Sequence, residues 1–521
     1  MATIKTTPSF TKTAVLCTHE TLFPCRTFLM TKEAKVKIGI LVGVIVAVLV
    51  GPFVFGWIFG GVSTTAAPAI TLRMWNLYDE ESLYTGIFQE FAAKRPNAKF
   101  RVEYKKYTDI AELESDLINE LAEGKGPDIV SIQPSWLAKH RGKLSPMPAQ
   151  YFENANPERF RATFVPAAAD DLIVNDQGQE LVYALPVSMD TLGIMYNSDF
   201  LLNNLSRGTP AEDWDTFVED ITRFVRTNRA QTRVLRTAVA IGRIDNMTRG
   251  LDLLQLLMMQ YGARFYDQTG ERVTIADPAP GSGSSGFGAA DAMDFFTSFS
   301  KPGSDTFLWD TNMTADLPDQ NDLGAFVSGS IGMMFAYPYQ VRDAERLISQ
   351  YQTERGDVIT PDLIKVAPAP QRISSNAALS ASSSQRVAIA NYYPLAVTAN
   401  SKNKNAAWDL IDFLTQPEQQ RYLFAQGKKI SAHLAVIPEE MRDPIYGAFA
   451  RQNTFAKSVF LPEPERMKAV IDGQVKDVIA GKVESLDAIR NIQLVWQCYT
   501  NKLLGKSGSS STECRVEAPI N

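Results

Sequence analysis

Twenty-two consecutive residues without a charge, Ile38–Phe59 (IGILVGVIVAVLVGPFVFGWIF), constrain this chain more than any other feature. At ~1.5 Å of rise per residue they match the ~30 Å hydrocarbon core of a bilayer. A core helix of a globular protein seldom excludes polar side chains all round, so the segment reads as a membrane helix. Lys32, Lys35 and Lys37 stand just before it, and no Lys or Arg follows until Arg73. The positive-inside rule then keeps the N-terminus in the cytoplasm and exports everything after residue 60. The run is longer than the apolar core of a secretory signal, ~7–15 residues, and it ends in bulky Trp57, Ile58 and Phe59. It therefore reads as an uncleaved signal anchor, although Thr64-Thr65-Ala66-Ala67 leaves cleavage open and Met30 offers an alternative start to Met1. The expected layout is a cytoplasmic segment at 1–37, a transmembrane anchor at 38–60 and a linker at 61–69, in a single-pass protein of the cell membrane.

Charge and cysteine placement bear on partners and compartment. The 521 residues carry 52 basic and 58 acidic side chains, a net charge of −6. The first 60 residues hold six Lys/Arg against two acids (+4), which leaves −10 on the exported part. A nucleic-acid partner would need a basic excess there, so nucleic acid is not expected. Cys17 and Cys25 fall on the cytoplasmic side, whereas Cys498 and Cys514 fall outside, where a disulfide can persist. Closing that loop would contribute about 3 kcal/mol; two free thiols beside a frayed tail are the equal alternative.

Beyond the linker the two structural periods alternate. Ile70, Leu72 and Met74 recur at period two, a strand, and Leu83, Ile87 and Phe91 at spacing four, a helix ended by Arg95-Pro96. Phe100, Val102 and Tyr104 mark a second strand, and Ile110, Leu113, Leu117 and Leu121 a second helix. Asp128–Gln133 is a buried third strand, which completes the β-α-β-α-β opening of an α/β sheet. Further helices are expected at Asp213–Thr227, Gly250–Tyr261, Ala406–Leu414, Glu418–Ala425, Glu465–Ile479 and Ser485–Leu504. Asp277–Gly288 and Ser374–Gln385, rich in Gly, Ser and Ala, read as surface loops, and 506–521 as a tail.

Signals for catalysis are weak. Only His140 and His433 lie outside, neither with a partner at ligand spacing, so no metal or other cofactor is expected. Gly281–Gly286 matches GxGxxG in form only, because Asp277-Pro278-Ala279-Pro280 and not a strand precedes it. Aromatics and acids at strand ends say more, since ligands of open α/β sheets bind beyond the carboxyl ends of the strands. If Ile70, Leu72 and Met74 face the core, Trp75 lies on the other face of the first strand, close to its C-terminal end; Asp79 and Glu80 open the next helix, and Trp136 follows the third strand. As cleft residues they would offer flat apolar faces and carboxylates to a polyhydroxylated ligand; as structural residues they would be packing groups and a helix cap.

In order, these segments resemble the extracellular solute-binding protein family 1, the maltose-type receptors of bacterial ABC importers. The matching stretches are ITLRMWNLYDEESLYTGIFQEFAAKRPNAKFRVEY (70–104), LINELAEGKGPDIVSIQPSWLAKH (117–140), YALPVSMDTLGIMYNSDFL (183–201), FVSGSIGMMFAYPYQ (326–340) and YYPLAVTANSKNKNAAWDLIDFLTQPEQQRYLF (392–424). The resemblance implies an α/β, two-lobed periplasmic-binding-protein-like fold with crossing hinge strands. Lobe 1 would take 70–188 and about 390–440, lobe 2 about 189–389 and 441–505. Carried over motif by motif, the ligand-binding candidates are Trp75, Asp79, Glu80, Trp136, Asp190, Asn246, Tyr337, Tyr339, Tyr392 and Tyr393. Adjacent tyrosines also ligate ferric iron in another branch of solute-binding proteins, but His or carboxylate partners are wanted there. The implied activity is non-catalytic: a monomer captures a small solute, a sugar or oligosaccharide, and delivers it to ABC permease subunits. An exported sensor without a transporter and an exported glycoside-acting enzyme are the alternatives.

Overall fold

A computed structural model describes residues 69–205, 207–230, 232–279, 286–354, 358–372, 386–506 and 514–515. The anchor expected at 38–60 lies outside them, and no helix among the described residues is long and apolar enough to cross a membrane.

The first strand, β1 (Ala69–Leu77), buries Leu72 and Met74 as its period-two pattern requires. From Met74 onward both of its faces are covered. It pairs in parallel with β2 (Lys99–Tyr107) along its whole length, from Ala69↔Lys99 to Leu77↔Tyr107, and with β3 (Ile129–Ser131) on its other edge. The helix Thr85–Ala93 buries Ile87 and Phe91 between the first two strands. The helix Ile110–Ala122 buries Leu113, Leu117 and Leu121; the Asp109 carboxylate caps it by accepting from the Ala111 and Glu112 N–H groups. Its end is fixed by Gly124 at φ +72°, a conformation that favours a residue without Cβ.

Then follow β4 (Leu144–Ser145), a hairpin of β5 (Ile173–Asp176) and β6 (Gln179–Val182), the short β7 (Asp190–Thr191) and β8 (Gly193–Asn197). After these come a small ribbon of β9 (Arg226–Thr227) and β10 (Val234–Arg236), then β11 (Met333–Ala336), β12 (Ile364–Pro368), β13 (Ala388–Asn391), β14 (Leu395–Thr398) and β15 (Ala456–Lys457). One sheet runs β2-β1-β3-β14-β4 and another runs β11-β8-β12. The short set β15-β13-β7 joins segments distant in sequence.

Two hydrophobic cores result. One gathers Leu72 to Met189 with returning side chains such as Leu395, Trp408 and Leu423. The other gathers Leu192 to Ile389 with Phe449, Met467 and Trp496. The chain passes between them at β7, at β13 and again at residues 430–456. Amides tie these crossings together. Asn453 Nδ2 donates to the carbonyls of Met189 and Ser431, each at 3.0 Å, and Gln452 Nε2 donates to that of Leu192 at 3.1 Å. Thr191 Oγ1 donates to the Phe449 carbonyl at 2.9 Å. At the C-terminal end a disulfide joins Cys498, in the helix Ser485–Leu503, to Cys514.

Candidate ligand-binding cleft

A cleft of about 960 Å³ opens between segments belonging to the two cores. One wall is Gln133–Ser135, just past β3, together with Asp170 and Asp171 at the end of the helix Pro166–Leu172. The other wall is Thr248–Gln255, on and before the helix Gly250–Gln260, with Val459–Leu461. Ile389–Tyr393, on the second crossing, forms the back. The volume and the mix of rings, carboxylates and amides suit a small polar molecule.

At the back, the Tyr392 hydroxyl donates to Asp171 Oδ2 at 2.7 Å and Ser458 Oγ donates to the same oxygen at 2.6 Å. Burial pushes the Asp171 carboxyl up to about 6, with these two bonds opposing the rise. On the second wall, Arg249 lies over the rings of Tyr337 and Tyr339, at 5.1 and 5.3 Å, and the two rings stack with centroids 6.3 Å apart. The Tyr337 hydroxyl donates to Asp252 Oδ1 at 3.0 Å. Burial first, and the Asp252 charge next, hold that phenol well above its ordinary value.

Tyr393 meets Tyr78 edge-on at 5.4 Å. Tyr78, the residue after β1, has φ +69°, and the Asp79 N–H donates across it to the Leu77 carbonyl at 2.9 Å, a tight three-residue turn. A side chain in this conformation costs about 1–2 kcal/mol, yet the ring is 47% exposed and so recovers little by packing. Strain of this kind is characteristic of binding sites.

Next to this turn Lys429 Nζ sits 3.0 Å from Asp79 Oδ1, while the Tyr84 hydroxyl donates to Asp79 Oδ2 at 2.7 Å. Burial alone would lower the Lys429 ammonium, but the charges of Asp79 and Asp190 outweigh it and hold it above the lysine value. Burial holds the Asp190 carboxyl high, with Lys429 pulling the other way. Across the cleft, Lys139 Nζ beside the first core reaches Glu463 Oε1, before the helix Pro464–Ile479 of the second, at 3.1 Å.

The ten residues marked by sequence therefore separate into groups. Tyr392 and Tyr393 line the cleft; Tyr337 and Tyr339 contact its Arg249. Asp79 and Asp190 gather round Lys429, and Glu80 is an exposed partner of Lys106. The other three are packed. Trp75 is 9% exposed, its ring 5.4 Å from that of Tyr107 with Lys105 Nζ 5.0 Å above it. Trp136 is buried against His140, and it is Gln133, Pro134 and Ser135 of the same turn that line the cleft. Asn246 accepts from Trp309 Nε1 at 2.9 Å and donates to the Asp310 carbonyl at 3.1 Å, so it braces the second core. Tyr78, Asp171, Arg249, Asp252 and Gln255 went unmarked. For Asp252 and Gln255 a signal existed: they are polar breaks, one turn apart, in the otherwise Leu/Met-rich GLDLLQLLMMQ.

The model of the bacterial extracellular solute-binding protein family matches residues 76–421. No curated protein is significantly similar in sequence. Among solved structures, the sugar-binding protein MalE from Xanthomonas citri superposes with a TM-score of 0.62 at 17% identity, covering 84% of this chain and 100% of that one. The cyclic α-maltosyl-1,6-maltose binding protein from Arthrobacter globiformis gives 0.60 at 14% identity, covering 84% and 99%. The GacH receptor of Streptomyces glaucescens, solved unliganded and with acarbose, gives 0.58 at 18%, covering 84% and 99%. At such identities the likeness is one of fold, two α/β lobes.

Proposed function

This chain belongs to the bacterial extracellular solute-binding protein family, and from that premise we propose that its cleft captures a sugar or oligosaccharide for an ABC permease. The observation that carries this reading is the lining of the cleft. Tyr393 and Phe460 supply aromatic surface, and Asp171, Asp252, Asn391 and Gln255 supply hydrogen-bonding groups. Aromatic rings stack on the C–H faces of a sugar while carboxylates and amides bond its hydroxyls. Three proteins of the same fold whose names or complexes involve saccharides support the choice. The charge-free run at 38–59 tethers the protein, with the binding domain outside.

The test is a thermal-shift titration of the full-length chain in detergent with maltose, maltotetraose, cyclic maltosyl-maltose and acarbose. Binding stabilises by RT ln(1 + [L]/Kd), ~2.7 kcal/mol at a hundredfold excess over Kd. A melting temperature unmoved by every saccharide overturns the assignment. Tethering is tested separately by protease added to intact spheroplasts, which removes the large domain if the orientation is right.

A further inference from the structure

One buried side chain in the cleft has a hydrogen-bonding need that the fold does not meet. The helix Gly250–Gln260 sends Leu253, Leu254, Leu256, Leu257 and Met258 into the second core. Gln255 among them is only 4% exposed, and its Nε2 has no hydrogen-bond partner among the described residues. Other glutamines near it are satisfied. Gln260, on the same helix, accepts from Trp214 Nε1 at 2.7 Å and donates to the Pro370 carbonyl at 3.0 Å. Gln340 donates to Thr248 Oγ1 at 2.9 Å and accepts from the Tyr337 N–H at 3.0 Å.

More than nine in ten buried polar groups are bonded, because leaving one unpaired forfeits its hydration for nothing. For folding alone, leucine or methionine would serve better at this position. Gln255, however, lines the cleft, one helical turn from Asp252, and residues three apart on a helix present adjacent side chains. Two neighbouring ligand oxygens can therefore meet this helix together. A hydroxyl would donate to the Asp252 carboxylate, and the next oxygen would accept from the Gln255 amide once a half-turn brings Nε2, closed to solvent in the empty protein, to the place of Oε1.

We infer that Gln255 is a specificity-determining contact, its amide donating to a hydroxyl, ring or glycosidic oxygen of the saccharide. The inference rests on the saccharide reading above. It carries an unusual sign: the same substitution leaves the empty protein as stable or more stable and weakens binding.

The experiment compares full-length wild type with Gln255→Met, which keeps the length of the side chain and removes both polar atoms; Gln255→Leu is the second variant should the first fail to fold. Each is melted without ligand and titrated with the same four saccharides. The expected result is an unchanged or higher melting temperature without ligand and a ten- to hundredfold weaker affinity for whichever saccharide the wild type binds. Unchanged affinity overturns the inference alone, as does a lowered melting temperature with unaltered affinity per folded molecule, which would make Gln255 a packing residue. A wild type that binds none of the four overturns the functional reading first and this inference with it.

Discussion

Replacing Lys429 by methionine measures how much of the fold's stability rests on one buried ion pair. The ammonium lies 3.0 Å from Asp79 Oδ1, with the two side chains only 18% and 15% exposed. At that distance and an effective dielectric constant of ~20, the attraction is about 5–6 kcal/mol before desolvation is subtracted. Removing one partner of a buried pair leaves the other charged and desolvated, at a cost of ~3–5 kcal/mol. Unfolding entropy of ~2.1 cal/mol/K per residue, over the roughly 450 residues of the unit Pro68–Asn521, is about 0.9 kcal/mol/K. A loss of ~3–5 kcal/mol then lowers the melting temperature by about 3–5 °C. Urea unfolding followed by tryptophan fluorescence gives the loss directly. Adding Asp79→Asn to the Lys429→Met protein removes the stranded charge and should restore most of it, and acid, by protonating the carboxylates, should narrow the gap to wild type. A loss below ~1 kcal/mol, the range of an exposed pair, or a double variant no better than the single, would refute the reasoning.

Three further outcomes are expected. Tyr78→Gly relaxes the φ +69° turn, so the unliganded protein should be unchanged or up to ~1 kcal/mol more stable by urea unfolding, while saccharide affinity falls as the exposed ring is lost. Trp75→Ala should cost ~3–5 kcal/mol of stability and leave affinity per folded molecule unaltered, since the ring is packed on Tyr107. Asp171, held at about 6 against an ordinary 3.8, carries an extra proton in the fold between these values. That contribution is present below about pH 4 and lost as pH rises through about 6, by up to ~3 kcal/mol, so Asp171→Asn should flatten the fall in stability between pH 4.5 and 7.5.

The architecture was legible where a local rule governs it. Spacing four in Leu113, Leu117 and Leu121 and period two in Leu72 and Met74 are local, and the elements lie close to where those signals put them. The two tryptophans show the limit of such rules. Strand alternation told which face of β1 Trp75 occupies, but whether that face is covered depends on what the rest of the chain lays over it. Tyr78 was invisible because nothing in its neighbours announces a left-handed tyrosine. The crossings are fixed by Gln452 and Asn453, whose amides reach carbonyls some 260 positions away and so leave no periodicity to read.

The position of β14 has a consequence for how the chain is made. It is the fourth of five strands in the first sheet, lying between β3 and β4, with Leu395↔Ser131 and Val397↔Ser145 in register. Some 250 residues separate it from β4, so at ~5–20 residues per second the ribosome leaves the inner edge of Ile129–Ser131 without its neighbour for about 10–50 s. Throughout that interval the first lobe cannot complete its sheet. Until then the open edge is a hazard, because any free strand can pair with it. Completion of the first sheet is thus timed by the arrival of four residues, Leu395–Thr398.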